Sequence, residues 1–476
     1  MDRRHFVGAA WAAGAGLMAP LAAQGVSVTE FGVAGDGVRD DTEGIQRAVL
    51  SGAASLFFPT GTYRITKTIL IDMTAAGYAA LAGAGTACLL AECEGPAFHF
   101  LGTHTGTADP ESVKDPVWQR ERMPLVSGVE IRGAHPRAEG ICLEKTMMAT
   151  LTGVLIRRCR VGVHLKTRNR NLIVSHCHIY DNDEIGIWFD HVDLHQTNLS
   201  ANHISYNKVA GIKIAGGAVR NLQITGNDIE YNHDEKGEGS ADVFFDLREE
   251  DSTFRESTIA SNTIQARISP GGANIRILGG PGLRTSGMLA ITGNLIGSQT
   301  DNIHLVECRG VSISGNAIYS AADHSLLLED SANVVVDGNS IDWNPDHEGK
   351  QLVDGITIRR CRGVQVTGCI IENSFHGSPE AGGTIEIEHS EDVAVSQCQI
   401  LDPRYRGVCL VDAKRCRLSD NTIIDRRPQV SMIHSISVDE KSRDNMITGN
   451  LLHRGKHAVP RGTCTWSGNK EIIPRS

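Results

Sequence analysis

One short phrase, an asparagine followed two residues later by isoleucine or leucine, returns along most of the 476-residue chain. Its copies begin at Asn202, Asn227, Asn262, Asn294, Asn316, Asn339, Asn421 and Asn450. Three further copies have cysteine in place of asparagine, at Cys177, Cys369 and Cys398. Successive copies lie 22–35 residues apart. A period in this range, with variable insertions, is typical of repeat proteins in which each repeat is one structural unit.

Short stretches of alternating polar and apolar residues precede each copy of the phrase. Leu222–Thr225 and Val311–Ser314 stand directly before it, and Gly211–Ile214 and Asn302–Leu305 lie one stretch further upstream. Period-two alternation indicates strands with one buried face, and these stretches are too short for helices. Stacked coils of such strands lie about 4.8 Å apart. The sequence therefore predicts an all-β fold, a single-stranded right-handed parallel β-helix over residues 125–455, with a C-terminal cap or tail over 456–476.

The asparagine column has a physical cause in this fold. An inward-turning asparagine at a corner can hydrogen-bond backbone groups of the coils above and below, and a small buried thiol fits the same slot. The cysteines of the phrase are therefore predicted to be core residues, as are those at a second recurring position, Cys308, Cys361 and Cys416. With no Cys-x-x-Cys pair in the chain, no metal-ligating set is assigned. Spacing favours Cys88 and Cys93 as a disulfide pair.

The N-terminus has the pattern of an export signal. Arg3 and Arg4 precede an apolar, small-residue stretch that runs from Val7 to Ala23, which resembles a twin-arginine signal. Cleavage is expected after residues 1–23, leaving a periplasmic or secreted protein with no stable membrane insertion. The formal charge, 46 − 56 = −10, argues against a nucleic-acid partner, because such proteins need a cationic face.

Residues 24–124 are predicted to form an N-terminal cap and the first coils, with a long insertion at Thr103–Pro124. Asp40 and Glu43 have the spacing of a capping box for a helix over Glu43–Val49. Ile45 and Val49 would share the apolar face of that helix, together with Ala48. Such a capping helix can close the open end of the solenoid.

The stretch Phe31–Gly85 resembles the N-terminal signature of the pectate lyase superfamily, through Gly35-Asp36-Gly37-Val38-Arg39-Asp40-Asp41-Thr42. This Gly-Asp-Gly-x-x-Asp-Asp-Thr branch is similar to rhamnogalacturonase-like enzymes and phage tailspikes. The resemblance implies a pectin lyase-like β-helix and a polysaccharide or oligosaccharide substrate. Hydrolases, lyases, transferases and non-enzymes all occur in that superfamily, so the chemistry stays open. A homo-oligomer, such as a trimer, stays open as well.

Candidate catalytic residues come from the outward positions of the upstream strands. Asp190, Lys213 and Asp246 fall on three successive coils, which puts the two aspartates roughly 9–10 Å apart. That distance is near the carboxylate separation of inverting glycosidases, about 6.5–9.5 Å. In a lyase, Lys213 or Arg276 would instead hold the substrate carboxylate, stabilise the enolate or abstract the proton. Ordinary solvated sheet charges are the alternative interpretation.

Further substrate contacts are predicted around these three residues. Trp188 and Phe244 would offer apolar platforms for sugar rings; the remaining candidates are His191, Asp193, Glu230, His233, Arg276 and His304. No cofactor is required by this scheme. The acidic loop 230–238 offers hard oxygen ligands for Ca²⁺, although it has no EF-hand pattern and also fits a solvated loop.

Two short stretches are similar to motifs of known enzymes. Trp188-Phe189-Asp190-His191 is similar to a Trp-Ile-Asp-His stretch of pectate lyases, and Phe375-His376-Gly377 to the Gly-His-Gly of polygalacturonases. The other polygalacturonase motifs are absent, so that mechanism is not expected. The sequence predicts an exported enzyme that cleaves glycosidic bonds, a glycoside hydrolase or a polysaccharide lyase. The alternatives are an intramolecular glycosyl (fructo)transferase or uronan epimerase, and a non-catalytic glycan-binding surface protein.

Overall fold

A computed structural model describes residues 25–107, 109–234, 236–347 and 353–473. The predicted export signal and Glu235 of the acidic loop lie outside these described residues. Within them, no helix has the length and apolar character needed to cross a membrane.

Parallel pairing organises the strands into three long sheets that wind around one core. The first sheet contains Ile69–Asp72, Gly95–Leu101, Ala138–Met147, the beginnings of Val161–Ser175 and Ile185–Ser200, Ala210–Ala215, Ala241–Asp246, Ala273–Leu278, Asp301–Val306, His324–Glu329, Ile356–Arg359, Ile385–Glu388, Arg406–Val411, His434–Val438 and His457–Ala458. The second contains Val26–Ser27, Ser55–Phe58, the beginnings of Ala80–Ala91 and Leu125–Gly133, Thr150–Thr152, the ends of Val161–Ser175 and Ile185–Ser200, Ala218–Thr225, Thr253–Arg255, Ser257–Ala260, Ser286–Thr292, Cys308–Ser314, Ala332–Asp337, Arg362–Thr367, Glu391–Ser396, Arg417–Ser419, Asn445–Thr448 and Cys464–Ser467. The third contains Asp36–Asp40, Gly61–Ile65, the ends of Ala80–Ala91 and Leu125–Gly133, Leu155–Arg157, His178–Tyr180, His203–Ser205, Asp228–Glu230, Thr263–Gln265, Leu295–Gly297, Ala317–Tyr319, Ser340–Asp342, Ile370–Glu372, Gln399–Leu401, Thr422–Ile424, Leu451–His453 and Lys470–Ile472.

Alternation along each strand separates the core from the surface. In Ala210–Ala215, Ile212 and Ile214 are fully buried while Lys213 between them is half-buried. The buried side chains of successive coils form one continuous apolar cluster from Val28 to Leu452. The predicted all-β parallel β-helix is confirmed, and its pairing continues into the predicted tail through Cys464–Ser467 and Lys470–Ile472.

The asparagine column is a ladder of hydrogen bonds between coils. The backbone N–H and Nδ2 of Asn294 both donate to Asn316 Oδ1, at 2.9 and 3.0 Å. Asn316 Nδ2 in turn donates to the Ile291 carbonyl at 3.0 Å. Cys369 and Cys398 occupy the same slot and are buried, as predicted. The column therefore satisfies backbone groups that the corner leaves unpaired.

All twelve cysteines are free, so the predicted Cys88–Cys93 disulfide is wrong. Cys93 belongs to the apolar core, whereas Cys88 lies in the register row of Thr62 and Glu130, outside that core. The two thiols therefore lie on different sides of the coil wall. Burial raises the pKa of the Cys88 thiol to about 11.

The capping helix is present but begins in a different way. It spans Thr42–Leu50 and buries Ile45, Ala48 and Val49, as predicted. The predicted capping box is wrong. Asp40 accepts hydrogen bonds from Thr42, while Glu43 pairs with Lys67 at 3.2 Å on the surface. A second helix, Met73–Ala76, follows. Short 3₁₀ turns lie at Val28–Phe31, Pro110–Ser112 and Pro345–His347, and one π turn at Val117–Glu121.

The long insertion packs against the early coils of its own chain. Val113 and Val117 form a small apolar cluster with Met147. Arg168 donates to the Gly106 carbonyl at 2.7 Å and fastens the insertion to the edge of the first sheet. This segment therefore forms one wall beside the first sheet.

Candidate active site

Register on the first sheet brings the predicted outward residues into one row. Directly paired positions on successive coils are His164, Trp188, Lys213, Phe244, Arg276 and His304. Two positions further along the strands, Asp190 pairs with Ala215, and Ala215 pairs with Asp246. The two aspartates therefore lie two coils apart, as the repeat spacing predicts.

Asp190 is held between two histidines. His164 Nε2 lies 3.0 Å from Asp190 Oδ2, and His191 Nδ1 lies 2.7 Å from Asp190 Oδ1. His164 Nδ1 also bonds Glu139 Oε2 at 2.8 Å. His164 is only 2% exposed, so this chain of groups fixes Asp190 from the interior side.

His191 is the exposed end of that chain. Its side chain is 56% exposed, and its Nε2 lies 2.9 Å from Glu249 Oε2, which the turn after Ala241–Asp246 supplies. The ring lies over Gly216 of the next coil, where an added Cβ would come within 2.7 Å of it. A proton-transfer group is thus presented at the surface in a fixed orientation.

The pKa values of Asp190 and Asp246 are both lowered, but for different reasons. Burial raises the pKa of Asp190, but the hydrogen bonds from His164 and His191 outweigh it and lower the pKa below its usual value. The Arg248 guanidinium, bonded to both oxygens of Asp246, lowers the pKa of that carboxyl as well. Both are ionised near neutral pH, which works against an inverting pair, since that pair needs one protonated carboxyl.

Two histidine pKa values shift upward in the same network. The hydrogen bond that His191 donates to Asp190 is the main reason that the pKa of His191 rises, with Glu249 adding to it. Burial lowers the pKa of His164, but its bonds to Asp190 and Glu139 reverse that effect and raise it overall. His191 therefore titrates above its ordinary value.

Unpaired lysines flank Asp190. Lys166 is its register partner on the preceding coil, and Lys213 lies on the following coil. Within the described ranges neither lysine forms an ion pair, and the contact of Lys213 is with the Phe244 ring, 5.3 Å from its Nζ. Nearby carboxylates, in contrast, all have partners on the chain. This part of the surface can attract an anion although the chain carries a net charge of −10.

The aromatic residues of the row stack along the helix axis. Trp188 lies face to face with His164, with ring centroids 4.5 Å apart and an angle of 9°. One face of Phe244 is covered by Lys213. Neighbouring side chains of the same row therefore cover a face of each ring, which argues against the predicted role as flat platforms for sugar.

Arg276 and His304 belong to a buried part of the row. Arg276 donates to the carbonyls of Gly239 and Gly271 at 3.1 and 2.7 Å, and is 7% exposed. His304 Nε2 bonds Glu329 Oε2 at 3.1 Å. These contacts make Arg276 a clamp for two loops and argue against a direct contact with substrate by either residue.

The remaining predicted contacts lie elsewhere on the coil. Asp193 is on the second sheet, where it pairs with Arg168 at 2.5 Å and Arg170 at 3.3 Å. Glu230 ends a strand of the third sheet, and burial and Asp228 raise its pKa. His233 lies in the turn that follows. These residues were predicted to lie in loops around the groove, but the corners between the sheets separate them from Asp190.

Several residues were missed by sequence reasoning. Glu139 and Glu249 complete the histidine network, yet Glu139 comes from a strand four coils before Asp246 and Glu249 from a turn, with no motif around either. Among the described residues, one group of three side chains could hold a metal ion: Asp323, His324 and His376. The short Phe375-His376-Gly377 stretch was the sole signal for it. The Ca²⁺ expectation at loop 230–238 stays a prediction.

Family models match most of the chain. One, described as right handed beta helix region, matches residues 118–259, 242–380 and 352–468. The chain belongs to the right-handed parallel β-helix proteins of the pectate lyase-like superfamily. A second model, described as rhamnogalacturonase A/epimerase, pectate lyase-like, matches residues 25–104 and covers the signature of the N-terminal cap. A search of curated proteins found no match.

Solved structures match most of the chain at low identity. The A-module of mannuronan C-5 epimerase AlgE6 from Azotobacter vinelandii is 13% identical, with 94% of this chain and 100% of that chain covered and a TM-score of 0.36. The Dettilon tailspike protein is 15% identical, with 89% and 66% covered and a TM-score of 0.47. The GH87 alpha-1,3-glucanase from Streptomyces thermodiastaticus is 14% identical, with 94% and 70% covered and a TM-score of 0.35. The likeness is one of fold.

Proposed function

We propose that this β-helix protein is an exported enzyme that cleaves glycosidic bonds in an anionic polysaccharide, by β-elimination beside a uronate carboxylate. The site is the outer face of the first sheet around His191, Lys166 and Lys213. The observation that carries the proposal is the pair of lysines, Lys166 and Lys213, that lie on either side of the Asp190–His191 pair and form no ion pair with the described residues.

The charges support an anionic sugar. A uronate carboxylate between Lys166 and Lys213 would gain two cations that form no ion pair with the other described residues. Neutralising that carboxylate acidifies the neighbouring C5–H, because the charge of the developing enolate is stabilised. The family description matched by residues 25–104 is consistent with a pectate-type substrate.

His191 is assigned the proton transfer. Substrate binding displaces the exposed Glu249 carboxylate from Nε2, and this nitrogen of the neutral ring takes the C5 proton. The C4–O bond breaks to leave a C4=C5 double bond, and the imidazolium returns the proton to the departing oxygen. Asp190 does not touch the sugar in this scheme; as a positioning residue it holds Nδ1 of His191 and supports the imidazolium. The raised pKa of His191 stabilises the imidazolium that forms when the ring takes the proton.

Hydrolysis by Asp190 and Asp246 is the second candidate, favoured by their two-coil separation alone. Incubation of the purified chain with uronate polymers and neutral polysaccharides separates the two. The proposal predicts ultraviolet absorbance from the conjugated double bond together with new reducing ends, and only on uronates. Reducing ends without absorbance would mean hydrolysis, and an intact polymer with inverted residues would mean epimerisation. Either result would contradict the elimination.

Variants of the site sharpen the test. His191→Ala should lower kcat by about 10²–10⁴-fold, the usual contribution of a general acid or base. His203→Ala is the matched control, because His203 is also a half-exposed histidine bonded to a carboxylate, Asp228, but on the third sheet. Lys213→Met should raise KM for uronates while the free energy of unfolding stays nearly unchanged. Equal activity in His191→Ala and His203→Ala would rule out the assigned base.

A further inference from the structure

A second group of chemically competent side chains lies downstream on the first sheet, apart from the site around His191. His324 begins the strand His324–Glu329 and Asp323 lies in the bend directly before it, while His376 comes from the irregular segment between Ile370–Glu372 and Ile385–Glu388. One potential ligand atom from each lies within 4.8 Å of the others. Residues more than 50 positions apart in the sequence thus converge on one point.

Both imidazoles are held by hydrogen bonds from outside the group. His324 Nδ1 bonds Asp301 Oδ1 at 2.8 Å, which leaves Nε2 with a free lone pair. His376 Nε2 lies 3.0 Å from Thr357 Oγ1. Metal-binding histidines commonly bond a carboxylate, carbonyl or hydroxyl through one nitrogen and use the other for the ion.

His376 carries the strongest sign of a missing ligand. The residue is 6% exposed, and its Nδ1 is buried with no hydrogen-bond partner in the described part of the chain. An unsatisfied buried polar atom costs about 1–3 kcal/mol, so it needs an explanation. The ring is also fixed against Gly355, where an added Cβ would come within 2.3 Å of it.

We infer that Asp323, His324 and His376 form a binding site for one late first-row divalent cation of the Zn²⁺ class. Two imidazoles and one carboxylate are ligands that Zn²⁺ prefers, and three protein ligands leave a fourth tetrahedral position open. The two histidines are nearly buried, whereas Asp323 is exposed and its Oδ2 lies 3.6 Å from His324 Nδ1. The ion would join the 373–384 segment to the sheet and would be independent of the proposed elimination.

Metal analysis of the untagged full chain tests the inference. After dialysis against a chelator, titration with ZnCl₂ should show about one equivalent bound, and CoCl₂ should produce the visible absorption bands of histidine-bound Co²⁺. His376→Ala and Asp323→Asn should each weaken Zn²⁺ binding by at least about 10-fold. Asp323→Asn is safe for folding, because the side chain is exposed.

Control variants keep the result interpretable. His389→Ala removes an exposed histidine that pairs with Asp412 on the same side of the solenoid, and it should bind Zn²⁺ as the wild type does. Gly355→Ala should weaken binding without removing a ligand, because the new methyl displaces the His376 ring. Equal Zn²⁺ binding by wild type, His376→Ala and Asp323→Asn would overturn the site. Binding of CaCl₂ with no competition from ZnCl₂ would overturn the cation class.

Discussion

At the scale of single residues, Asp242 is the most strongly perturbed carboxyl of the core. It ends the inner column of Asn182, Asn207 and Asn232, where its Oδ1 accepts from the backbone N–H and Nδ2 of Asn232 at 3.1 and 3.0 Å. Full burial raises its pKa to about 8, although the hydrogen bonds from Asn274 and Asn232 oppose the shift. The folded chain therefore keeps this group protonated at a pH where the unfolded chain ionises it.

Because the pKa of Asp242 is raised on folding, the stability of the folded chain falls as pH rises. Below about pH 4 both states bind the proton, and stability is at its full value. As pH rises from about 4 to about 8, the unfolded state gains its charge first, and stability falls by up to about 1.4 kcal/mol per unit. Denaturant unfolding at pH 5 and pH 8 should show this loss in the wild type and a clearly smaller loss in Asp242→Asn. The exposed Asp444→Asn serves as control, and equal slopes in all three proteins would refute the assignment.

Single residues also mark the limit of what the sequence could predict. Period-two alternation sufficed to place Lys213 and Asp190 on the outer face, because register follows from the repeat. It could not predict that Arg248 neutralises Asp246 or that Asp190 lies between His164 and His191, since these contacts depend on turn conformation and side-chain rotamers. His376 reaches its site from an irregular segment with no periodicity.

At the scale of structural elements, the asparagine ladder is the device that keeps the coils in register. Asn316→Ala would leave two donors of Asn294 and the Ile291 carbonyl without their partner. The expected loss is at least about 3 kcal/mol in the free energy of unfolding, because each of the three buried groups left unsatisfied costs about 1–3 kcal/mol.

A graded series checks this ladder. Asn316→Cys should cost less than Asn316→Ala, because a thiol already occupies this slot at Cys369, where Asn339 Nδ2 approaches its Sγ at 3.8 Å. Gln365→Ala, which removes an amide from an exposed strand position, should change stability by less than about 0.5 kcal/mol. Urea unfolding of the three variants gives the comparison. An Asn316→Ala loss as small as that of Gln365→Ala would mean that the ladder contributes little.

At the scale of the whole molecule, the fold explains why one chain can present separate sites in a line. Coils add length without adding a second core, so the His191 site and the Asp323–His324–His376 group share one sheet while depending on different coils. The cavity of about 400 Å³ bordered by Gln223, Met288 and Val311 lies on the second sheet and shares none of these groups. The architecture could be predicted from the sequence because each coil carries the same local pattern of repeat spacing and polar–apolar alternation.

Export is a prediction about the whole molecule. When the chain is produced in a bacterium with an active twin-arginine pathway, the mature protein should appear outside the cytoplasm, with its N-terminus close to Gln24. Replacing Arg3 and Arg4 together by lysine should leave the precursor inside the cell. Cell fractionation and intact-mass measurement distinguish these results. An uncleaved wild-type chain in the cytoplasm would contradict the predicted signal.

The central claim is that shared register on the first sheet builds a site for an anionic sugar. A crystal structure of the slow variant His191→Ala with a bound oligouronate tests it most directly. The account predicts a sugar carboxylate between Lys166 and Lys213, with C5 facing the space left by the His191 ring. An oligosaccharide seated instead on the second or third sheet, away from both lysines, would contradict it.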